Sequence, residues 1–134
     1  MKLWNKDGNS NNKVDNFTVG EDRKNDLEIA KYDCIASISH AKMLNKIGII
    51  NAQELKKIKS VLNKIKDDAE KGSLEIENEF EDIHSKIEFV LVDKLGEIGK
   101  KIHTGRSRND QVLVAMQLFL LDSLNDIKSL VVSL

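Results

Sequence analysis

Residues 102–112 read IHTGRSRNDQV, a stretch whose side chains suit the capture of an anion. Arg106 and Arg108 carry fork-shaped donor sets that match planar oxyanions. Asn109 and Gln111 add amide donors, Thr104 and Ser107 add hydroxyls, and Gly105 lets backbone approach a ligand closely. Directly afterwards comes VLVAMQLFLL, among the most apolar runs in the chain. A helix that begins here would present unpaired amides and the positive end of its dipole, a site for a carboxylate or phosphate. Asn109 fits either as the cap of that helix or as a ligand donor. A plainer reading uses the same residues: an N-cap beside two surface arginines, paired with Asp110 and Glu97. The residue chemistry alone leaves both readings open.

The elements that must position this cluster read as helices. The 134 residues include no proline, although average usage near 5% would supply several. Proline interrupts helices and marks turns and edge strands, so its absence favours long unbroken helices. Scarce aromatics argue weakly in the same direction. The periodicity therefore predicts an all-α protein.

A first helix is expected near Thr18, where Glu21 follows three residues later as in a capping box. Ile29, Tyr32, Ile35, Ala36, Ile38, Ser39 and Met43 then recur at helical spacing up to Gly48. A second helix opens on Asn51-Ala-Gln-Glu54, lines Leu55, Ile58, Val61, Leu62 and Ile65 along one face, and ends at Gly72. A third is expected from about Asn78, carrying Ile83, Ile87, Val90, Leu91 and Leu95 before Gly96. In a continuous helix Asp82 and His84 would point ~200° apart, so both face one site only if the helix starts there.

The fourth helix, from Asp110, is apolar around much of its circumference. Leu113, Met116, Leu120, Leu124, Ile127, Val131 and Leu134 form one stripe; Val112, Ala115, Phe119, Leu121, Leu130 and Val132 form a second. Such a helix calls for partner helices on several sides. It reaches the last residue without a stop signal, as expected of a long bundle helix cut within its length. Three regions follow: an extended asparagine-rich arm at 1–16, a helical domain at 17–108 with the carboxylate-binding loop, and the start of a long central helix at 109–134.

Bulk properties narrow the function. A net charge of −1 gives no field for nucleic acid or an anionic membrane, and no apolar run approaches a membrane span. Lysines alternate with glutamates along the helices, the pattern of a solvated face. Cys34 is the only cysteine, so no internal disulfide forms, and a reducing, cytoplasmic setting fits.

Beside this reading stands a resemblance. HTGRSRNDQV at 103–112 resembles the signature of the argininosuccinate lyase family, within the fumarase/aspartase superfamily. EDIHSKIE at 81–88 resembles that family's E-D-I-H segment, MKLW its amino-terminal K-L-W, and FTVGEDRKNDLEIAKYD at 17–33 the opening helix of some bacterial members. The likeness runs the length of the chain, in order, and corresponds to roughly the first third of a complete lyase. It implies an amino-terminal helical domain leading into the first long helix of the superfamily's bundle.

The resemblance also implies an activity: reversible cleavage of argininosuccinate to arginine and fumarate, the last step of arginine biosynthesis, without metal or organic cofactor. A base removes a proton beside a carboxylate, and the carbanion's charge spreads onto that carboxylate, so positioned donors must stabilise it. On this likeness Arg108 and Asn109 contact the substrate, with Ser107 and Thr104 shaping the loop. Thr18 carries the hydroxyl where other members have the serine of F-N-A-S. Asp82, His84, His103, Arg106, Asp110 and Gln111 support the site. The family's catalytic serine and histidine belong to segments beyond residue 134, so no catalytic residue and no activity of its own are expected within this chain. The family assembles as a homotetramer around long helices. Two other readings are another fumarate-releasing lyase of the superfamily, and a non-catalytic structural or interaction protein that keeps the fold; the density of anion donors at 104–111 disfavours the second, since a structural role does not require it.

Overall fold

A computed structural model describes residue 17 and residues 19–134. The expected amino-terminal arm and Thr18 lie outside the described residues. Among those residues the protein is all-α: α1 (Asp22–Lys46), α2 (Ala52–Glu70), α3 (Ile83–Leu95), the single turn α4 (Glu97–Lys100), a 3-10 turn (Lys101–His103) and α5 (Arg108–Ser133). No described helix is long and apolar enough to cross a membrane.

Local chemistry explains the boundaries. Asn51 caps α2 by accepting the Glu54 amide at 2.9 Å while the Glu54 carboxylate takes the Asn51 amide at 2.8 Å, the capping box expected from the sequence. Glu21 occupies the cap position of α1 and makes no side-chain cap bond there, and the capping box expected at Thr18 lies outside the described residues. The third helix begins later than expected. Asp82 is its N-cap and accepts the Ser85 amide at 2.6 Å, which leaves residues 78–81 outside the helix.

The core forms where α1, α2 and α3 meet. Ile58, Leu62 and Ile65 of α2 and Ile83, Ile87 and Leu91 of α3 are buried as their spacing predicted. On α1 Ile29 and Tyr32 are buried as expected, but the rest of the buried face is shifted. Ile35 and Met43 are exposed, while Ala30, Cys34, Ala41 and Leu44 enter the core together with Asp33 and Ser37. Small side chains on that face permit close helix approach, a preference that ranking residues by hydrophobicity misses.

On the last helix the stripe from Leu113 to Leu134 faces outward, and contact with α1 is made by Ala115 and Phe119 of the second stripe together with Gln111. Tyr32 secures the crossing: its hydroxyl donates to Asp122 at 2.6 Å and its ring meets Phe119 edge-on at 5.8 Å between centroids.

Candidate functional site

Three segments converge on the polar loop. The start of α1 holds the approach to α3: Arg23 donates to the carbonyls of Phe80 at 2.8 Å and Asn78 at 3.1 Å, and Asp26 accepts the Ile83 amide at 3.0 Å. Burial raises the Asp26 pKa, and the Ile83 amide opposes that shift. These bonds set where α3 begins. Because it begins at Ile83, Asp82 and His84 escape the opposed directions of a continuous helix. Asp82 caps the helix, and His84 turns into the interior, 2% exposed.

Inside, a carboxylate gathers donors from three helices. Asp33 of α1 is fully buried; His84 Nδ1 stands 2.7 Å from its Oδ2, Ser37 donates at 3.1 Å, and Gln111 Nε2 reaches both oxygens at 3.1 and 3.0 Å. Ser37 in turn accepts from Arg106 Nη1 at 3.0 Å. A continuous chain of contacts thus joins the polar loop to α1, α3 and α5. Burial lowers the Arg106 pKa, Asp33 counters it, and the guanidinium keeps its charge. Arg106 Nε and Gln111 Oε1 are buried without a partner among the described residues.

The loop follows Gly105, whose φ of +72° is a left-handed conformation that side-chain-bearing residues rarely adopt. Ser107, and not Asn109, caps α5: its hydroxyl receives the Asp110 amide, and the Asp110 carboxylate accepts the Ser107 amide at 2.7 Å. Those bonds hold the Asp110 pKa below its ordinary value. Asn109 lies exposed on the first turn, and Thr104 is exposed just before Gly105. The Thr104 carbonyl accepts from His40 Nε2 of α1 at 3.0 Å.

The two arginines do not form the ion pairs of the plainer sequence reading. Asp110 is engaged with Ser107, and Glu97 with Lys100. Arg108 lies instead between two carboxylates of α3, with Nη1 3.5 Å from Asp82 Oδ1 and Nη2 3.5 Å from Glu88 Oε2. His103 Nε2 comes within 3.1 Å of the same Glu88 oxygen, without the alignment of a good hydrogen bond. Long contacts on a half-exposed guanidinium leave most of its donors uncommitted.

The structure therefore brings together Asp82, His84, His103, Arg106, Ser107, Arg108, Asp110 and Gln111, with Thr104 and Asn109 on the same loop and helix start. Sequence reasoning missed Asp33, Ser37, His40 and Glu88. The first three recur at steps of four and three, a polar stripe on one face of α1 that was there to be read. Glu88 closes the EDIHSKIE segment, one turn beyond His84 and next to the apolar Ile87.

This arrangement can be set against known proteins. Residues 3–134 match the family described as Lyase. The chain belongs to that family. Among curated relatives of this lyase chain, the argininosuccinate lyase of Thermotoga neapolitana is 51% identical over 133 residues, which is 99% of this chain and 33% of that protein. The argininosuccinate lyase of Phocaeicola vulgatus is 50% identical over 119 residues, 89% of this chain and 27% of that protein. That of Acetivibrio thermocellus is 40% identical over 136 residues and covers the whole chain and 29% of its relative. The lyase chain thus spans about a third or less of the length of these proteins.

Proposed function

We propose that this chain is the amino-terminal part of an argininosuccinate lyase, a carbon–nitrogen lyase that reversibly cleaves argininosuccinate to arginine and fumarate in the cytoplasm. The observation that carries the reading is the mouth of α5: a capped helix start, Arg108 with long contacts only, and Asn109 exposed on the first turn. A helix start favours negative charge, and a guanidinium beside it adds paired donors for a planar carboxylate. The named relatives, similar over nearly the whole chain, support argininosuccinate as the substrate.

In this reading Arg108 and Asn109 bind a carboxylate of the succinyl half, and Thr18 adds a hydroxyl from the opening segment. Ser107 and Thr104 shape the loop, and Asp82, His84, His103, Arg106, Asp110 and Gln111 support it. As the base removes the proton beside the carboxylate, charge grows on its oxygens, and donors already aimed there stabilise the transition state more than the ground state. Proton transfer itself falls to residues of the complete enzyme outside this chain, which would work as a homotetramer. Residues 17–108 form the domain that carries the loop, and 109–134 begin the long helix.

The test is fumarate release, followed by ultraviolet absorbance, from argininosuccinate supplied to the full-length protein that contains this segment. Turnover is expected with the full-length protein and none with residues 1–134 alone. A full-length protein inert toward argininosuccinate, yet active on another succinyl adduct, would move the assignment to a different fumarate-releasing lyase.

A further inference from the structure

We propose that Asp33 is the positioning residue of the anion loop, fixing the donor directions of His84, Ser37 and Gln111 and, through Ser37, the guanidinium of Arg106. The inference rests on the function proposed above and adds a residue to its site.

Asp33 is fully buried, and its two oxygens meet one histidine nitrogen, one hydroxyl and one amide nitrogen within 2.7 to 3.1 Å. A carboxylate only accepts, so each neighbour must turn a hydrogen toward it. His84 is thereby required to carry a proton on Nδ1, which assigns its tautomer. The Ser37 hydroxyl is required to spend its only hydrogen on Asp33, which leaves an oxygen lone pair as acceptor for Arg106 at 3.0 Å. Gln111 is required to turn its amide nitrogen inward. Gln111 sits in the first turn of α5, one turn past Arg108, so that amide pins the helix start to α1.

A single acceptor therefore sets the direction of groups on α1, α3, the loop and α5. All of the groups that touch Asp33 are buried, where an unsatisfied donor is expensive and alternative arrangements are few. His40 adds a separate bond to the loop, at the Thr104 carbonyl.

Two measurements test the proposal. In the full-length enzyme, Asp33→Asn keeps the shape but offers one acceptor oxygen and one donor nitrogen. It should lower kcat/KM about tenfold or more while circular dichroism is unchanged. Nitrogen chemical shifts of isotope-labelled histidine should show His84 protonated on Nδ1 in the unsubstituted protein, and that preference should be lost in Asp33→Asn. A role confined to stability would lower the unfolding midpoint of Asp33→Asn and leave kcat/KM of the folded variant native. If Asp33→Asn does not fold, Ser37→Ala removes only the branch to Arg106 and should lower kcat/KM several-fold. Native kinetics in either folded variant, or His84 protonated on Nε2 alone, would overturn the proposal. Inactivity of the unsubstituted enzyme would instead overturn the proposed function, and the tautomer would then decide for the network.

Discussion

Arg108 Nη1 lies 3.5 Å from Asp82 Oδ1, the same oxygen that accepts the Ser85 amide at 2.6 Å. One carboxylate oxygen therefore both starts α3 and faces the arginine of the polar loop. The two tasks have different chemical requirements. Capping needs only an acceptor, whereas attraction of a guanidinium needs charge.

Asp82→Ala should lower stability by about 1 kcal/mol through loss of the cap, and Asp82→Ser should restore most of it. The serine variant still lacks the charge beside Arg108, so in the full-length enzyme its kcat/KM should stay below native. Thermal unfolding and steady-state kinetics on both variants separate the tasks. Equal kinetics for Asp82→Ser and the native enzyme would show that the contact with Arg108 is idle.

Close packing around α4 gives a second expectation. A Cβ on Gly99 would come within 2.3 Å of the Leu91 carbonyl oxygen, and backbone there has no room to yield. Gly99→Ala must push α4 away from α3, an overpacking change of about 1–3 kcal/mol. Thermal melts should drop by several degrees. An unchanged midpoint would mean that α4 is loosely seated.

His40 supplies the pH dependence. Burial, and then the charge of Arg106, hold its pKa below the ordinary 6.5, while the Thr104 carbonyl pulls the other way. A folded pKa below the unfolded one means that the unfolded chain binds more protons in the window between them. Stability should therefore be complete above 6.5 and fall as pH drops from 6.5 through the folded value. His40→Gln keeps an amide donor for Thr104 but cannot titrate. The difference in unfolding midpoint between native and His40→Gln should be pH-dependent only in that window. A flat difference would show that His40 titrates alike in the folded and unfolded chain.

Much of this architecture was legible because its signals are local. The Asn51–Glu54 capping box, the glycine after α2 and the Ile58–Leu62–Ile65 face each depend on residues within one or two turns. The polar cluster of the candidate site was legible for the same reason, since its residues lie within ten positions. What escaped the sequence depends on partners far along the chain. Asp26 and Arg23 fix the start of α3 from more than fifty residues away, and no local pattern shows that. Asp33 and Ser37 belong to a polar stripe on α1 whose role shows only where His84, Gln111 and Arg106 meet it. Ile35 and Met43 satisfied the periodicity yet face outward, because α1 is apolar on more than one side and its smallest residues take the helix contact.

The outward stripe of α5 carries its own consequence. Leu120, Leu124 and Leu130 are 51%, 61% and 66% exposed. Apolar area gains roughly 25 cal/mol per Å² when removed from water, so a row of such side chains favours association. The isolated 134-residue chain should self-associate through residues 112–134, seen as a rise in sedimentation coefficient with concentration. A monodisperse monomer with strongly protected amides along that segment would contradict this.

The central claim is that Arg108 at the mouth of α5 binds a substrate carboxylate, and its most direct measurement is kcat/KM of Arg108→Ala in the full-length enzyme. A loss of tenfold or more is expected, about 1.4 kcal/mol of transition-state stabilisation. Arg108→Lys, which keeps the charge without the paired donors, should recover only part of it. Values within about twofold of native for Arg108→Ala, with circular dichroism unchanged, would contradict the claim.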